Sequence, residues 1–255
     1  MNLIQEGIIG VNLNPGIRKK VTKAIADYNL IENEDRVVVG LSGGKDSTLL
    51  LLALSEIKKI SPIKFDLTAV TINIAEKETN LSPLKTFCMD LGIPHETISY
   101  PIIEIIKERN ERSPCSLCSK LRNGILIDFA TKNGFNKVAL GHHLDDVVET
   151  VLLNLFLAGR FKCFSPLSWR SRKQIWVIRP LVYLSEEAIR SETKRLDFPT
   201  IKWECPHGEE TQRAKMKQLI ANLEPQFPAL KSQILHALTH LREQDVWEIE
   251  KSFEK

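Results

Sequence analysis

Six consecutive residues, 42 to 47, combine glycine, lysine, serine and aspartate in a pattern suited to binding an anion. They follow a short β-branched run and precede a leucine-rich run, which predicts a strand, a loop and a helix. Unpaired N–H groups at the start of a helix attract phosphate. The motif therefore predicts a phosphate-binding loop made of Ser42, Gly43, Gly44, Lys45, Asp46 and Ser47.

Each residue type in this loop has its own expected role. Glycines let the backbone approach a phosphate closely, Lys45 supplies a positive charge, and the two serines add hydroxyl donors. Asp46 would repel a phosphate, so we expect it to hold Mg²⁺. The loop has neither the G-x-x-x-x-G-K-[ST] nor the G-x-G-x-x-G spacing, which disfavours those two nucleotide-binding classes. The alternative is a plain chain turn with solvated charges.

A second candidate site is the pair Cys115 and Cys118, whose spacing lets both sulfurs face one metal or cluster. The five cysteines are an odd number without a secretory signal, which argues against a disulfide scaffold. The best third ligand is Cys205, in a predicted loop. Three thiolates leave one position open and favour an iron–sulfur cluster, although His207 could complete a Cys₃His zinc site. Two unligated thiols or a redox couple are the other readings.

A third motif runs from Gly141 to Asp146 and follows a predicted strand. It therefore lies at the carboxyl end of that strand, where open α/β sheets bind ligands. Asp145 or Asp146 could share Mg²⁺ with a nucleotide or act as an acid or base, and His142 could contact the nucleotide. The alternative is that these aspartates only cap the following helix.

The elements that must position these motifs alternate along the chain. Short β-branched runs are separated by helical patterns, which predicts an α/β fold with a parallel sheet and helices on both faces. An amphipathic helix is expected before the first strand, and helices are expected after Pro206. We therefore predict an N-terminal helical segment over 1–30, a main domain over 31–205 and a C-terminal helical appendage over 206–255.

Composition restricts the class of protein further. The 255 residues are 43% hydrophobic and 26% charged, which suits one large globular domain with appendages. The net charge of +3 says little about a polyanionic partner. Since no stretch approaches the roughly eighteen apolar residues that span a bilayer, we expect a cytoplasmic protein without a membrane partner.

Taken together, the motifs resemble those of the PP-loop ATP pyrophosphatases. The segments around Ser42–Ser47, Cys115–Gly124, Gly141–Asp146 and Val177–Leu181 look like the tRNA 2-thiolation enzymes, closest to the 2-thiocytidine synthetases, over roughly residues 18 to 222. The segment Cys205–Gly208 carries one thiol and looks more like the thiouridine branch. The modified base is therefore left open between the two.

The resemblance implies a chemistry for each motif. It implies a [4Fe-4S] cluster, rather than zinc, and ATP with Mg²⁺ at the loop. A base carbonyl would be activated as an adenylate and attacked by sulfur. The implied partners are tRNA, a sulfur donor protein or sulfide, and a second copy of the chain in a homodimer. The implied residues are Cys115, Cys118 and Cys205 for the cluster, the loop with Gly141 and His142 for ATP, and Asp145, Arg122, Lys120 and Asp46 for catalysis.

An RNA partner has some independent support. Between Val151 and Ser185 the chain has no acidic residue, while arginines and lysines alternate with aromatic residues. Such a region next to the site could hold phosphates and stack on an unpaired base, as recognition of single-stranded RNA requires. A solvated basic face around a hairpin is the alternative. Two other functions stay open: an adenylating enzyme acting on a small molecule, and a zinc-stabilised RNA-binding protein without catalysis.

Overall fold

A computed structural model describes residues 12–74, 79–109, 113–201 and 212–242 of the chain. Its strands are β1 (Asp35–Gly40), β2 (Phe65–Asn73), β3 (His95–Ser99), β4 (Lys137–Ala139), β5 (Leu167–Arg170) and β6 (Ile175–Ile178). Its helices are α1 (Pro15–Asp27), α2 (Lys45–Ile60), α3 (Ser82–Leu91), α4 (Ile102–Glu108), α5 (Pro114–Lys132), α6 (Leu144–Ala158), α7 (Glu186–Arg195), α8 (Gln212–Leu223) and α9 (Leu230–Thr239).

The strands form one six-stranded sheet in the order β3-β2-β1-β4-β6-β5. All neighbouring pairs are parallel except β5 and β6, which are antiparallel. On the central strand, Val37 and Val39 join the core formed with α1, α2 and α3, whereas Val38 joins the core formed with α4 and α5. The expected α/β fold with helices on both faces is confirmed. The antiparallel edge pair departs from the parallel sheet that was predicted, and forms the hairpin that was the alternative interpretation of the basic region.

The strand order explains where a ligand can bind. From β1 the chain moves outward to β2 and β3, and then returns to place β4 on the other side of β1. The loops after β1 and β4 therefore lead away from each other and leave a crevice at the carboxyl ends of these strands. Residues 42–44 follow β1 and Gly141 follows β4, so two of the predicted motifs border this crevice.

The antiparallel hairpin divides the basic and aromatic region between the two ends of the sheet. Leu167 pairs with Ile178 at the carboxyl end of β6, whereas Arg170 pairs with Ile175 at its amino end. The turn at 171–174, with Arg172 and Lys173, therefore lies at the end opposite the crevice. This corrects the expectation that the whole region borders the site. The parts before β5 and after β6 stay at the crevice end, where Phe164 lies against His142 and Arg179 lies over the Phe164 ring.

The C-terminal helices pack on the main domain. Met216 and Ile220 of α8 join a small apolar cluster with Val148 and Leu152 of α6, and α9 packs on the same helix. Because α6 begins beside the crevice, this packing brings α8 to the edge of the site. Within the described ranges, no helix is both long enough and apolar enough to cross a membrane.

Candidate active site

The loop after β1 is braced by its own hydroxyl groups. The Ser47 hydroxyl accepts a hydrogen bond from the Ser42 backbone N–H at 3.1 Å and donates one to the Gly44 carbonyl at 3.0 Å. The Thr48 hydroxyl donates to the same carbonyl at 3.1 Å. Since α2 begins at Lys45, its first N–H groups face the crevice at the end of a preformed turn. Ser47 therefore has a structural role in addition to its expected contact with phosphate.

Gly43 brings a distant part of the chain onto this loop. It adopts a φ of +78°, and a Cβ added there would lie 2.9 Å from Cβ of Ile201. The Ile201 backbone N–H donates to the Gly43 carbonyl at 2.8 Å. A side chain at position 43 would therefore be strained by its backbone and by its neighbour. The chain that follows α7 is held directly against the phosphate loop.

Gly141 allows the chain leaving β4 to touch the first turn of α2. A Cβ added to it would lie 3.1 Å from the carbonyl carbon of Asp46 and 3.2 Å from the Ser47 backbone nitrogen. These atoms belong to the helix backbone and cannot rotate away. Gly141 therefore sets the distance between the two motifs and keeps the start of α2 in place.

Substitution of Gly141 by alanine should displace the first turn of α2. We expect the free energy of unfolding to fall by about 1–3 kcal/mol, as for other overpacked sites, and ATP to bind more weakly. Gly124→Ala is a matched control, because a Cβ there meets nothing within 4 Å and the position lies inside α5. Urea unfolding should show this control to be neutral or stabilised by roughly 0.5–1 kcal/mol. Equal stability of the two variants would contradict the prediction.

A cavity of about 430 Å³ fills the crevice. The phosphate loop borders it on one side, and Cys115 and Cys118 border it on another. Apolar side chains from β2, α4 and α5 form much of the remaining wall. The predicted site residues that line this cavity are Ser42, Asp46, Ser47, Cys115, Cys118, Arg122, Gly141, His142 and Asp146.

Helix geometry explains how α5 presents its cysteines. The helix starts at Pro114, so Cys115 and Cys118 lie in its first turn, three residues apart on one face. Arg122 follows four residues later on the same face and also lines the cavity. Lys120, the other expected basic residue, is exposed and is not part of the lining.

The Lys45 ammonium group forms ion pairs with two carboxylates. Its Nζ lies 3.0 Å from Oδ1 of Asp46 and 3.2 Å from Oε1 of Glu186. Burial works to lower the pKa of Lys45, but these two carboxylates outweigh it and the pKa lies above its usual value. Burial likewise works to raise the pKa of Glu186, but Lys217 and Lys45 outweigh it and lower the pKa to about 2. Lys45 and Glu186 are therefore both charged near neutral pH.

The two neighbouring aspartates of the third motif have different environments. Asp145 accepts a hydrogen bond from the Glu186 backbone N–H at 2.6 Å. It also forms an ion pair with Lys231, whose Nζ lies 2.6 Å from Oδ1 of Asp145. Asp146 lines the cavity and accepts from the His143 backbone N–H at 3.0 Å, as part of a reciprocal cap at the start of α6. The structure thus brings Asp146 to the cavity, whereas Asp145 joins α6 to α7 and α9.

His142 is a half-buried cavity residue held in the neutral form. Its ring lies 5.1 Å from that of Phe164, and the Arg179 guanidinium lies 4.8 Å from the same phenylalanine ring. Burial, followed by the charge of Arg179, lowers the pKa of His142 to about 4. A neutral imidazole can accept or donate a hydrogen bond to a nucleotide without adding charge.

Arg213 lines the cavity and was not predicted as a site residue. Its Nε lies 3.2 Å from Oε2 of Glu149, and its Nη1 lies 3.8 Å from Oδ1 of Asp146. Nothing in the local sequence of α8 marks this arginine, because it reaches the cavity only through the packing of α8 on α6. Burial raises the pKa of Glu149 to about 7, although Arg213 acts in the opposite direction.

The raised pKa of Glu149 predicts a pH dependence of stability. A carboxyl that binds its proton more tightly when folded contributes most below its unfolded pKa of 4.5 and loses this contribution as pH rises to about 7. Glu149→Gln removes the titration. The variant should therefore gain stability relative to the wild type from about pH 5 to about pH 7 and no more above it. Urea unfolding of both proteins across this pH range tests the prediction. A difference in the free energy of unfolding that did not change with pH would contradict it.

The third expected cluster ligand, Cys205, lies outside the described residues, as does His207. Across the described ranges, no three His, Cys, Asp or Glu side chains converge in a way that could hold a metal ion. The flanking residues that are described lie at the site: Ile201 touches the phosphate loop, and Arg213 lines the cavity.

The crevice, the glycine loop before α2 and the sheet order define an α/β nucleotide-binding protein of the PP-loop class. The family model described as PP-loop domain matches residues 13–222. A tRNA-cytidine(32) 2-sulfurtransferase from Bdellovibrio bacteriovorus is 37% identical over 239 residues, covering 91% of this chain and 92% of that protein. Its counterpart from Geobacter metallireducens is 39% identical over 230 residues, covering 89% and 90%.

A solved structure shows the same likeness. The U34-tRNA thiolase NcsA from Methanococcus maripaludis with its [4Fe-4S] cluster superposes with a TM-score of 0.73 at 25% identity, covering 89% of this chain and 79% of that one. The chain therefore belongs to the PP-loop family and, within it, to the group of tRNA 2-sulfurtransferases. The resemblance seen in the motifs is confirmed.

Proposed function

We propose that this chain is an ATP-dependent sulfurtransferase that replaces the C2 oxygen of a cytidine in tRNA with sulfur. The observation that carries the proposal is that the phosphate loop and the Cys115–Cys118 pair line one cavity. An enzyme of this kind must bring a nucleotide and a sulfur-handling group to the same base. The names of the curated relatives support cytidine, and position 32, as the target.

ATP would bind with its phosphates at the loop of residues 42–47. The N–H groups at the start of α2 and the Lys45 ammonium suit this anion. Asp46 and Asp146 both line the cavity and offer carboxylates for Mg²⁺. The apolar wall, which includes Val70, Ile72 and Leu126, suits the adenine ring or the target base.

Activation of the base makes its C2 oxygen a leaving group. The oxygen attacks the α-phosphorus of ATP, pyrophosphate departs, and the oxygen then belongs to an AMP group that sulfur can displace. Arg122 and Arg213 lie at the cavity wall, where their charges would stabilise the developing negative charge on phosphate. We propose these two arginines, with Asp146, as the residues that act on the substrate. Asp145 would support them by holding α7 and α9 in place.

A [4Fe-4S] cluster suits the cysteines of the cavity. Cys115 and Cys118 lie in one helical turn and provide two thiolates, the ligands that such clusters take. We propose Cys205 as the third ligand. It comes four positions after Ile201, so even an extended chain places it at most about 14 Å from a residue that touches the phosphate loop. When bound, the cluster would supply an iron with an open position able to hold sulfide.

Nucleoside analysis tests the proposal. A strain that lacks the gene should lose one thiolated nucleoside from its tRNA, and a plasmid copy of the intact gene should restore it. Mass spectrometry of the isolated tRNA would place the change at cytidine 32. An unchanged nucleoside profile would reject the proposed function. The sulfur donor and the homodimer stay predictions from the resemblance.

A further inference from the structure

We propose that Glu186 is a shared carboxylate that Lys45 leaves when a phosphate binds, and that Lys217 is the positioning residue that makes this exchange favourable. The inference rests on the proposed function only in taking ATP as the ligand of the loop. It assigns a role in nucleotide binding to α8, a helix that sequence patterns place in the C-terminal appendage.

The exchange begins from the observed contacts of Lys45. Its ammonium lies 3.0 Å from Asp46 and 3.2 Å from Glu186, and the residue is not part of the cavity lining. A phosphate at the start of α2 would have to attract this ammonium away from at least one carboxylate. Asp46 is adjacent in sequence and moves with the loop, so Glu186, which belongs to α7, is the partner that must be given up.

Glu186 has a second cation on its other oxygen. Lys45 and Arg190 approach Oε1 at 3.2 Å and 3.3 Å, whereas Lys217 approaches Oε2 at 2.6 Å. Lys217 therefore does not compete with Lys45 for position and need not move when Lys45 leaves. Arg190 is the weaker replacement, because its contact with Glu186 is longer than that of Lys217.

Burial makes this second cation important. The side chain of Glu186 is only 13% exposed, and a buried carboxylate that loses its partner carries a large desolvation cost. While Lys217 is present, Glu186 stays compensated after Lys45 has moved to the phosphate. Without Lys217, Glu186 would hold Lys45 more strongly, and ATP would bind more weakly.

The exchange also links the nucleotide to α8. Once Lys45 has left, Lys217 becomes the main partner of Glu186, which tightens the contact of α8 with α7. Since coupling between two binding events is reciprocal, a docked α8 in turn favours ATP binding. The same helix carries Arg213 to the cavity wall. ATP binding would therefore stabilise the position of an arginine that faces the substrate.

The test measures ATP binding by calorimetry on the full chain without RNA. Lys217→Met should raise the dissociation constant of ATP roughly tenfold, within the usual range of coupling energies, and Lys217→Arg should leave it near the wild-type value. Lys215→Met is a matched control, because this lysine is exposed on the same helix. An unchanged dissociation constant for Lys217→Met would overturn the proposal.

A double variant separates charge compensation from damage to α8. In Glu186→Gln/Lys217→Met the carboxylate that holds Lys45 is gone, so ATP affinity should return close to that of Glu186→Gln alone. Affinity as weak as that of Lys217→Met would overturn the proposal. Failure of the proposed function would look different: these affinities would follow the expected order while tRNA remained unthiolated. If the unmodified chain bound no ATP, both the proposed function and the exchange at Glu186 would be rejected.

Discussion

Replacement of Cys115 by serine is expected to abolish tRNA thiolation, the largest effect that we predict. A serine hydroxyl stays protonated near neutral pH and is not a ligand for an iron–sulfur cluster, whereas a cysteine thiolate is. Among the described cysteines, Cys115 and Cys118 are the two that line the cavity, so no further described thiol is placed to take over from Cys115. Protein purified without air should lose iron and labile sulfide, and its tRNA product should contain no thiolated nucleoside.

Cys163→Ser provides the matched control. The Cys163 thiol donates to the Val147 carbonyl at 3.6 Å, lies outside the cavity lining, and has its pKa raised by burial to about 11. Serine keeps the donor, so iron content and thiolation should be retained. Cys205→Ser should behave like Cys115→Ser if Cys205 is the third ligand. Full thiolation by Cys115→Ser would contradict the assignment of this site.

Replacement of Lys45 by methionine is expected to reduce RNA-dependent release of pyrophosphate from ATP by roughly 10²–10³-fold, as when one charge-stabilising group is removed from an active site. Methionine keeps the length and much of the volume of the side chain but has no charge to place on a phosphate. Glu186 retains Lys217 at 2.6 Å, so the fold around α7 should be preserved. Pyrophosphate release and circular dichroism measure the two effects separately.

The control for Lys45 lies on the same helix. Lys59 is exposed near the far end of α2, and Lys59→Met should leave pyrophosphate release unchanged. Equal loss in the two variants would indicate a general effect of charge on RNA binding rather than a contact with ATP. No loss in Lys45→Met would place the phosphates away from this lysine.

The sequence predicted the elements well because their signals are local. The β-branched run of β1 is buried on both faces in the parallel sheet. The glycine turn between a strand and a helix indicated a phosphate loop, and the three-residue spacing of Cys115 and Cys118 indicated that both sulfurs could face one metal or cluster. Each of these inferences needs only a short stretch of chain.

The expectations that the structure changed all depend on pairing between distant segments. The antiparallel pairing of β5 with β6 sends Arg172 and Lys173 to the end of the sheet away from the crevice. Either Asp145 or Asp146 could have faced the site on sequence grounds, and the contacts of Asp145 with α7 and α9 decide which one does. The periodicity of a single helix carries no information about such neighbours.

By itself, the sequence determined the fold class and predicted the phosphate loop and the cysteine pair, because hydrophobic period, glycine turns and residue spacing act within a few residues. Only the tertiary structure decided that the loop and the cysteines share a cavity, that Arg213 reaches this cavity from α8, and that Lys217 of the same helix pairs with Glu186. The reason is physical: helices settle where their apolar faces are buried, and the charges that they carry meet partners far away in the chain.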